Sequence, residues 1–236
     1  MGNNWFKFKQ FTVYQESAAM RVGTDGVLLG AWTDHLTPMH ILDIGSGTGV
    51  ISLMAAQRWS EARIDAIDPD LGAFEQSRSN FEQSPWGNRL AAHHIDLQHF
   101  DSAPYDHIIS NPPYFVNSLK NPDSAKSTAR HTDSLPHNEL VQHAARLLAP
   151  EGTFAVILPA DLRLNLLEIA KQNGLSLHRI AEIFDRKGKS SIRIMAEFKK
   201  SAPAKPIEEQ IYIRDAESGD YSEQYKTLTK DFYLKF

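Results

Sequence analysis

Strand-like and helix-like runs alternate along the middle of the chain, and this alternation constrains the fold more than any other feature. Apolar runs at 40–44, 62–67, 90–95, 105–110 and 153–158 predict strands, and amphipathic runs at 48–58, 70–83, 136–148 and 161–172 predict helices. Two further runs, 175–184 and 190–199, predict a terminal strand pair. Alternation of this kind is typical of parallel sheets. We therefore predict an α/β fold, with a seven-stranded, mostly parallel sheet, an antiparallel C-terminal strand pair and helices on both faces.

The composition is that of an ordinary globular domain. The chain has 236 residues, of which 42% are apolar and 23% charged. It contains no cysteine, which excludes disulfides and thiolate sites and is compatible with a reducing cytoplasm. No run approaches the roughly 18 apolar residues needed to cross a bilayer, so we expect a soluble, cytoplasmic protein. We predict one domain, made of an N-terminal extension (1–36), a core (37–200) and a C-terminal segment docked on it (201–236).

A glycine-rich turn follows the first core strand. Asp43 precedes it, and Gly45, Gly47 and Gly49 give it the spacing G-x-G-x-G. Glycine permits a sharp turn and a close approach of backbone to a ligand. Free amides at the start of the next helix favour a carboxylate or a phosphate. The dinucleotide fingerprint G-x-G-x-x-G is one residue longer, which disfavours an NAD-dependent oxidoreductase.

Two carboxylates follow the next two strands. Asp68 is predicted at the end of the second strand, where it can accept hydrogen bonds from two ribose hydroxyls. Asp96 is predicted at the end of the third strand, within reach of an adenine amine. Together with the glycine turn, they indicate a nucleoside-containing cofactor. The alternative is a plain tight turn in which glycine serves packing alone.

The sequence Asn111-Pro112-Pro113-Tyr114 follows the strand at 105–110. The amine on an aromatic ring is a poor nucleophile because its lone pair is delocalised. The Asn111 carboxamide oxygen and the Pro112 carbonyl can accept its two hydrogens, on a loop that the prolines stiffen. Tyr114 can stack on the ring. Parallel strands end at one edge of a sheet, so this loop and the glycine turn should face one crevice. The alternative is a loop that merely ends a strand.

Other motifs argue against metal and hydrolase chemistry. The ten histidines show no metal-ligand spacing, and no G-x-S-x-G elbow is present. Gly188-Lys189-Ser190 resembles the end of a phosphate loop, but Ile183 stands where the first glycine is needed. The long polar loop 115–132 is predicted to order over the substrate.

The net charge of −4 argues mildly against nucleic acid as the partner. Two local clusters are basic, and each has a plain solvated surface as the alternative reading. They consist of Lys7 and Lys9, and of Arg186, Lys187, Lys189 and Arg193.

These motifs resemble a known family. The core resembles the Rossmann-like class I S-adenosylmethionine-dependent methyltransferases. The chain is closely similar to the bacterial tRNA1(Val) (adenine-37-N6)-methyltransferases. The stretches that carry the resemblance are 6–9, 20–32, 41–49, 84–86, 110–116, 129–132 and 228–235.

The resemblance implies methylation of the exocyclic amine of the adenine beside the anticodon, with S-adenosylmethionine as cofactor, S-adenosylhomocysteine as product and no metal. It implies tRNA as the partner and no membrane, and we take a monomer as the default. The implied catalytic residues are Asn111, Pro112, Pro113 and Tyr114. The implied cofactor-binding residues are Gly23, Thr24, Asp25, Asp43, Gly45, Gly47, Gly49, Asp68, Asp96 and Asn111.

Three alternatives stay open. Glutamine methyltransferases of release factors share the Asn-Pro-Pro-Tyr loop, but they usually carry a separate N-terminal helical domain, for which about 36 residues are too few. Adenine-N6 methyltransferases of rRNA or DNA share the loop as well. A non-catalytic module that only binds S-adenosylmethionine is the third alternative, although such a module has no need of both Asn111 and Tyr114.

Overall fold

An eight-stranded sheet forms the centre of the protein in the computed structural model, which describes residues 3–16, 21–113, 135–201 and 205–236. The strands are β1 (Trp5–Lys7), β2 (Thr12–Tyr14), β3 (His40–Ile44), β4 (Arg63–Asp68), β5 (Leu90–His94), β6 (Tyr105–Ser110), β7 (Leu148–Pro159), β8 (Ser176–Phe184), β9 (Ser191–Lys199) and β10 (Ile207–Tyr212). The helices are α1 (Thr24–Trp32), α2 (Val50–Arg58), α3 (Leu71–Glu82), α4 (His137–Leu147), α5 (Arg163–Gln172) and α6 (Glu223–Thr229).

The strand order in the sheet is β10-β8-β9-β7-β6-β3-β4-β5, and β1 and β2 form a separate hairpin. Strands β3 to β7 pair in parallel, whereas β9 runs antiparallel to both β7 and β8. The predicted α/β fold with a mostly parallel sheet is therefore confirmed. The sheet has one strand more than predicted, because β10 adds to β8 at the edge. Its sequence lacks a buried apolar run, since only Ile211 within it is fully buried.

Strand β7 is longer than its apolar run indicates. It begins at Leu148 and passes through Pro150, Glu151 and Gly152, which lie between the predicted helix 136–148 and the predicted strand 153–158. The pairing register between β6 and β7 shifts at this point. A Cβ on Gly152 would lie 2.9 Å from the carbonyl oxygen of Tyr105, so glycine allows the close approach of the two strands.

The helices cover both faces of the sheet. Helices α1, α2 and α3 pack on one face through Leu29, Met54 and Phe81, which share a core with sheet residues such as Ile41. Helices α4 and α5 pack on the other face, where their buried side chains meet Leu42 and its neighbours. Ile41 and Leu42 point to opposite faces because side chains alternate along a strand.

Helix α1 is an element that the sequence analysis missed. All residues from Gly26 to Trp32 are buried, so no polar face gives the helix a periodic signal. Two glycines also lower its intrinsic helical preference. Gly30 is needed for packing, because a Cβ there would lie 2.8 Å from Met54 Sδ on α2. The helix therefore forms through tertiary contact rather than local preference.

The two terminal segments contact each other. The Lys9 amide donates to the Phe232 carbonyl at 2.8 Å, and the Lys9 ammonium donates to the Lys230 carbonyl at 2.6 Å. The Phe8 and Tyr233 rings stack at 5.9 Å. Phe232 is buried beside them. The division into extension, core and docked segment stays a prediction.

In the described parts of the chain, we find no helix with the length and apolar character that crossing a membrane requires.

Candidate active site

The glycine turn and the Asn-Pro-Pro loop begin side by side at the carboxyl edge of the sheet. Ile44, the last residue of β3, pairs with Ser110, the last residue of β6. The Ser110 hydroxyl donates to the Ile44 carbonyl at 2.9 Å and is buried. Gly45 and Asn111 follow these two residues directly. The shared edge that the parallel topology predicts thus brings both motifs to one place.

The three glycines of the turn differ in what surrounds them. All three have positive φ angles, of 74°, 55° and 77° for Gly45, Gly47 and Gly49. A Cβ on Gly45 or Gly47 would meet no described atom within 4 Å. A Cβ on Gly49 would lie 2.5 Å from the Phe81 ring. Within the described part of the chain, Gly45 and Gly47 therefore border open space, whereas Gly49 allows α3 to pack against the turn.

Asp68 holds the glycine turn through backbone amides. Its Oδ2 accepts from the Gly47 amide at 2.9 Å, and its Oδ1 accepts from the Asp70 amide at 3.0 Å. Burial raises the pKa of the Asp68 carboxyl, and these two hydrogen bonds act in the opposite direction. Each carboxylate oxygen has a second lone pair, so Asp68 keeps the capacity to accept further donors.

Asp43 lies behind the turn and is fully buried. Its Oδ2 accepts from the Ser52 amide at 3.1 Å and from the Ser52 hydroxyl at 2.7 Å, which fixes the first turn of α2. Burial raises the pKa of the Asp43 carboxyl to about 7. Its Oδ1 and the buried Ser46 hydroxyl have no hydrogen-bond partner among the described residues.

The segment Gly23, Thr24 and Asp25 forms the start of α1. Gly23 is the N-cap and makes no side-chain cap bond. A Cβ on Gly26 would lie 3.7 Å from Asn111 Nδ2 and 3.4 Å from a methyl group of Val50 on α2. The N-terminus of α1 therefore lies beside Asn111 and the start of α2.

Asp25 pairs with a residue of β9 that the sequence analysis had placed on a basic surface. Arg193 Nε donates to Asp25 Oδ2 at 2.9 Å. This contact joins the start of α1 to the strand next to β7. The residue types alone gave no signal that these two positions, 168 apart in sequence, meet.

Asp96 does not end a strand. Strand β5 stops at His94, and the Asp96 side chain is 56% exposed in the following loop, 3.5 Å from His99 Nδ1. Its chain neighbour Ile95 donates its amide to the Asp68 carbonyl at 3.2 Å, which keeps this loop near the glycine turn. The predicted strand end, at residue 95, is wrong by one residue because the apolar Ile95 extends the run past the last ladder pair at His94.

Asn111 and Pro113 are partly buried, and Pro112 is buried between them. Tyr114 and the loop 115–132, for which we predict stacking and closure over substrate, lie outside the described residues.

The basic clusters are partly neutralised within the fold. Lys9 binds main-chain carbonyls of the C-terminal segment. Arg186 pairs with Asp185 at 2.9 Å, and Arg193 pairs with Asp25. The cluster at 186–193 is therefore less available for phosphate contacts than its sequence indicates.

Asn80 is a residue that the sequence analysis passed over. Its Nδ2 donates to the Thr48 carbonyl at 2.9 Å and to the Tyr14 carbonyl at 2.8 Å. Its Oδ1 accepts from the Tyr14 amide at 2.9 Å. A polar residue on an amphipathic helix usually faces solvent, so the sequence held no signal for this role.

Among the described residues, no group of three or more histidine, aspartate or glutamate side chains could hold a metal ion.

Comparisons with known proteins identify the family and the fold. Residues 22–173 match the family model of the methyltransferase small domain, which is the class of protein that the fold and the glycine turn define. A solved structure from Agrobacterium tumefaciens, described as a predicted O-methyltransferase, shares the fold with a TM-score of 0.69 at 17% identity, over 88% of this chain and 96% of that one.

Closer relatives cover the full chain. A protein of Phocaeicola vulgatus is 48% identical over 99% of both chains, and one of Parabacteroides distasonis is 43% identical over 100% of both. Each is named tRNA1(Val) (adenine(37)-N6)-methyltransferase. The chain therefore belongs to the tRNA1(Val) (adenine(37)-N6)-methyltransferase family.

Proposed function

We propose that the protein transfers a methyl group from S-adenosylmethionine to the N6 amine of adenine 37, beside the anticodon of tRNA1(Val). The observation that carries the chemistry is the position of Asn111. It directly follows Ser110, the last residue of β6, whose hydroxyl donates to the Ile44 carbonyl just before the glycine turn. Family membership supports the choice of substrate, since the relatives are named for this reaction. We further propose that the protein acts as a monomer in the cytoplasm.

The residues around the glycine turn fit S-adenosylmethionine. The open space beside Gly45 and Gly47 suits a nucleoside that the backbone must approach closely. Asp68 would accept the ribose hydroxyls with its remaining lone pairs. The buried Ser46 hydroxyl, without a partner among the described residues, would provide a further polar contact. Asp96 is our candidate for the adenine amine.

The start of α1 fits the methionine end of the cofactor. The first amides of a helix lack intrahelical partners and favour a carboxylate. Gly23, Thr24 and Asp25 supply this helix start beside Asn111. Asp43 and Gly49 would act from behind, since Asp43 fixes Ser52 and Gly49 allows the contact with Phe81.

Asn111 and Pro112 would orient the target amine. The carboxamide oxygen of Asn111 and the carbonyl of Pro112 accept its two hydrogens, which draws the nitrogen lone pair out of conjugation. Asn111 would also contact the cofactor, because its side chain lies beside Gly26 in the first turn of α1. Tyr114 is proposed to stack on the adenine, and Pro113 to keep the loop stiff.

When bound, S-adenosylmethionine supplies a methyl group that the sulfonium has already activated. The protein therefore needs to position the amine rather than provide a strong base, and misplacement of about 1 Å costs on the order of a hundredfold in rate. The adenine must leave the anticodon-loop stack to reach Asn111.

The test is an Asn111→Ala variant assayed with labelled S-adenosylmethionine and RNA from a strain that lacks this gene, followed by nucleoside identification. We expect wild-type protein to form N6-methyladenosine at position 37, and the variant to lose at least about a hundredfold in kcat with unchanged cofactor affinity. Asn88→Ala, at an exposed turn, is the matched control. Full activity in Asn111→Ala would refute the mechanism.

The same assay separates the alternatives when rRNA, DNA or a release factor is offered in place of tRNA. Methylation of a release factor, rRNA or DNA in place of tRNA would change the substrate but keep the role of Asn111. Cofactor binding without methylation of any of these substrates would favour a non-catalytic module.

A further inference from the structure

The β1–β2 hairpin presents two large aromatic side chains to solvent. Trp5 pairs directly with Tyr14 across the two strands, so both lie on the same face of the hairpin. Trp5 is 47% exposed and Tyr14 is 38% exposed. The neighbours Phe6 and Val13 point the other way, and Val13 is fully buried. The exposed parts of this pair are therefore available for contact with a partner.

Positive charge accompanies the aromatic pair. Lys7 lies two residues from Trp5 on the same face and is exposed. Between residues 3 and 16 the one acidic residue is Glu16, beyond the end of the hairpin, where it accepts from Asn4 Nδ2 at 3.3 Å. Arg21 is also exposed and precedes Val22, whose amide donates to Gln15 Oε1 at 3.0 Å. We call Trp5, Lys7 and Tyr14 the hairpin face.

Two buried amide side chains tie the hairpin to the candidate site. Asn80 bonds the Tyr14 backbone on one side and the Thr48 carbonyl of the glycine turn on the other. Gln15 holds Val22, just before the start of α1, and donates to the Asn3 carbonyl at 2.9 Å. The hairpin is therefore fixed both to the glycine turn and to the segment before α1, the helix whose start lies beside Asn111.

We propose that the hairpin face binds the RNA substrate, by stacking of unpaired bases on Trp5 and Tyr14 and by a phosphate contact from Lys7. This inference rests on the proposed function and names the surface that serves it. Aromatic side chains interleaved with cations are typical of single-stranded RNA binding. Lys7 supplies positive charge beside the aromatic pair, on a hairpin that Asn80 and Gln15 tie to the candidate site. Bases next to a splayed-out adenine are unstacked on one side and are available for such contacts.

The variants Trp5→Ala and Tyr14→Ala test the stacking. Both leave the backbone bonds of Tyr14 to Asn80 in place. We expect the Kd and KM for tRNA to rise about tenfold in each, because base–aromatic stacking is worth about 1–3 kcal/mol. The kcat and the Kd for S-adenosylmethionine should stay unchanged. Trp5→Phe and Tyr14→Phe should recover most of the affinity, and Leu164→Ala on α5 is the control for loss of an exposed apolar side chain.

The variant Lys7→Ala tests the phosphate contact. We expect the slope of log Kd for tRNA against log salt concentration to fall by about 0.7–0.9, the value of one phosphate contact. Lys171→Ala, at an exposed position on α5, should leave the slope unchanged.

The outcomes separate this inference from the proposed function. If wild-type protein does not methylate tRNA, the proposed function fails. If wild-type protein methylates tRNA while Trp5→Ala and Tyr14→Ala bind it normally, the hairpin face is not the RNA surface. If the two variants weaken cofactor binding as much as tRNA binding, the hairpin supports the glycine turn and the inference is likewise overturned.

Discussion

At the scale of single residues, Asp43 shows how a side chain can shape the site without facing it. The carboxylate is buried, fixes Ser52 at the start of α2, and leaves Oδ1 without a partner among the described residues. Burial of an ionised group costs free energy unless the group is paired. The pKa near 7 reflects this cost, because protonation removes the charge. The charge of Asp43 should therefore destabilise the protein near neutral pH.

The sign of the pH dependence follows from the two pKa values. The pKa is about 7 in the folded protein and close to the ordinary 3.8 when unfolded. The stability from Asp43 is present in full below pH 3.8 and is lost as the pH rises through 7. The Asp43→Asn variant has no titrating group at this position and should not show this loss. Between pH 4 and pH 8, the free energy of unfolding of the wild type should therefore fall relative to that of the variant by a few kcal/mol, on the order of 1.4 kcal/mol per pKa unit. Urea unfolding of both proteins across that pH range measures this difference. If the free energies of unfolding of the two proteins changed with pH in parallel, the predicted role of Asp43 would be wrong.

At the scale of elements, the sequence predicted the strands and helices that local residue patterns determine. Runs of buried apolar residues gave the parallel strands, and β6 spans the predicted residues Tyr105–Ser110. The side chain of Asp70 caps α3 by accepting from the Ala73 amide, which is the signal that marks a helix start. Helix α1 and strand β10 were missed because one is buried on every side and the other lies at the sheet edge.

The same division applies to the candidate site. That the glycine turn and Asn111 meet was predictable, because the carboxyl ends of parallel strands share an edge. The Asn80 bridge and the Asp25–Arg193 pair were not, since each joins elements far apart in sequence through one polar side chain. Such contacts depend on tertiary packing, on which a single sequence carries no periodic signal.

The Asp25–Arg193 pair gives a prediction for two elements. Because it joins β9 to the start of α1, its loss should loosen the helix start proposed to hold the cofactor. We expect Asp25→Asn and Arg193→Gln each to raise the KM for S-adenosylmethionine severalfold, with a smaller effect on the KM for tRNA. Both side chains are partly exposed, so a double-mutant cycle on unfolding should give a coupling of about 0.5–1 kcal/mol. Additive effects would show that the pair does not act as a unit.

At the scale of the whole molecule, the two ends of the chain support each other and, through the hairpin, the candidate site. Lys9 lies just past β1 and binds the main chain of the C-terminal segment. Phe8 stacks with Tyr233 from that segment on one side and with Phe11 on the other. The hairpin in turn reaches the glycine turn through Asn80. Loss of the last residues should therefore affect both stability and RNA binding.

Deletion of residues 232–236 tests this connection. Burial of an aromatic side chain such as Phe232 contributes about 1.5–3 kcal/mol, and the Lys9 contacts add to it. For a chain of this length each kcal/mol corresponds to about 2–4 °C, so we expect the melting temperature to fall by roughly 5–10 °C. Leu234→Ala, at a largely exposed position, should melt like the wild type. The deletion removes the contacts that the C-terminal segment makes with the hairpin, so the affinity for tRNA should fall more than the affinity for S-adenosylmethionine. An unchanged melting temperature would show that the last five residues contribute nothing to the stability of the fold.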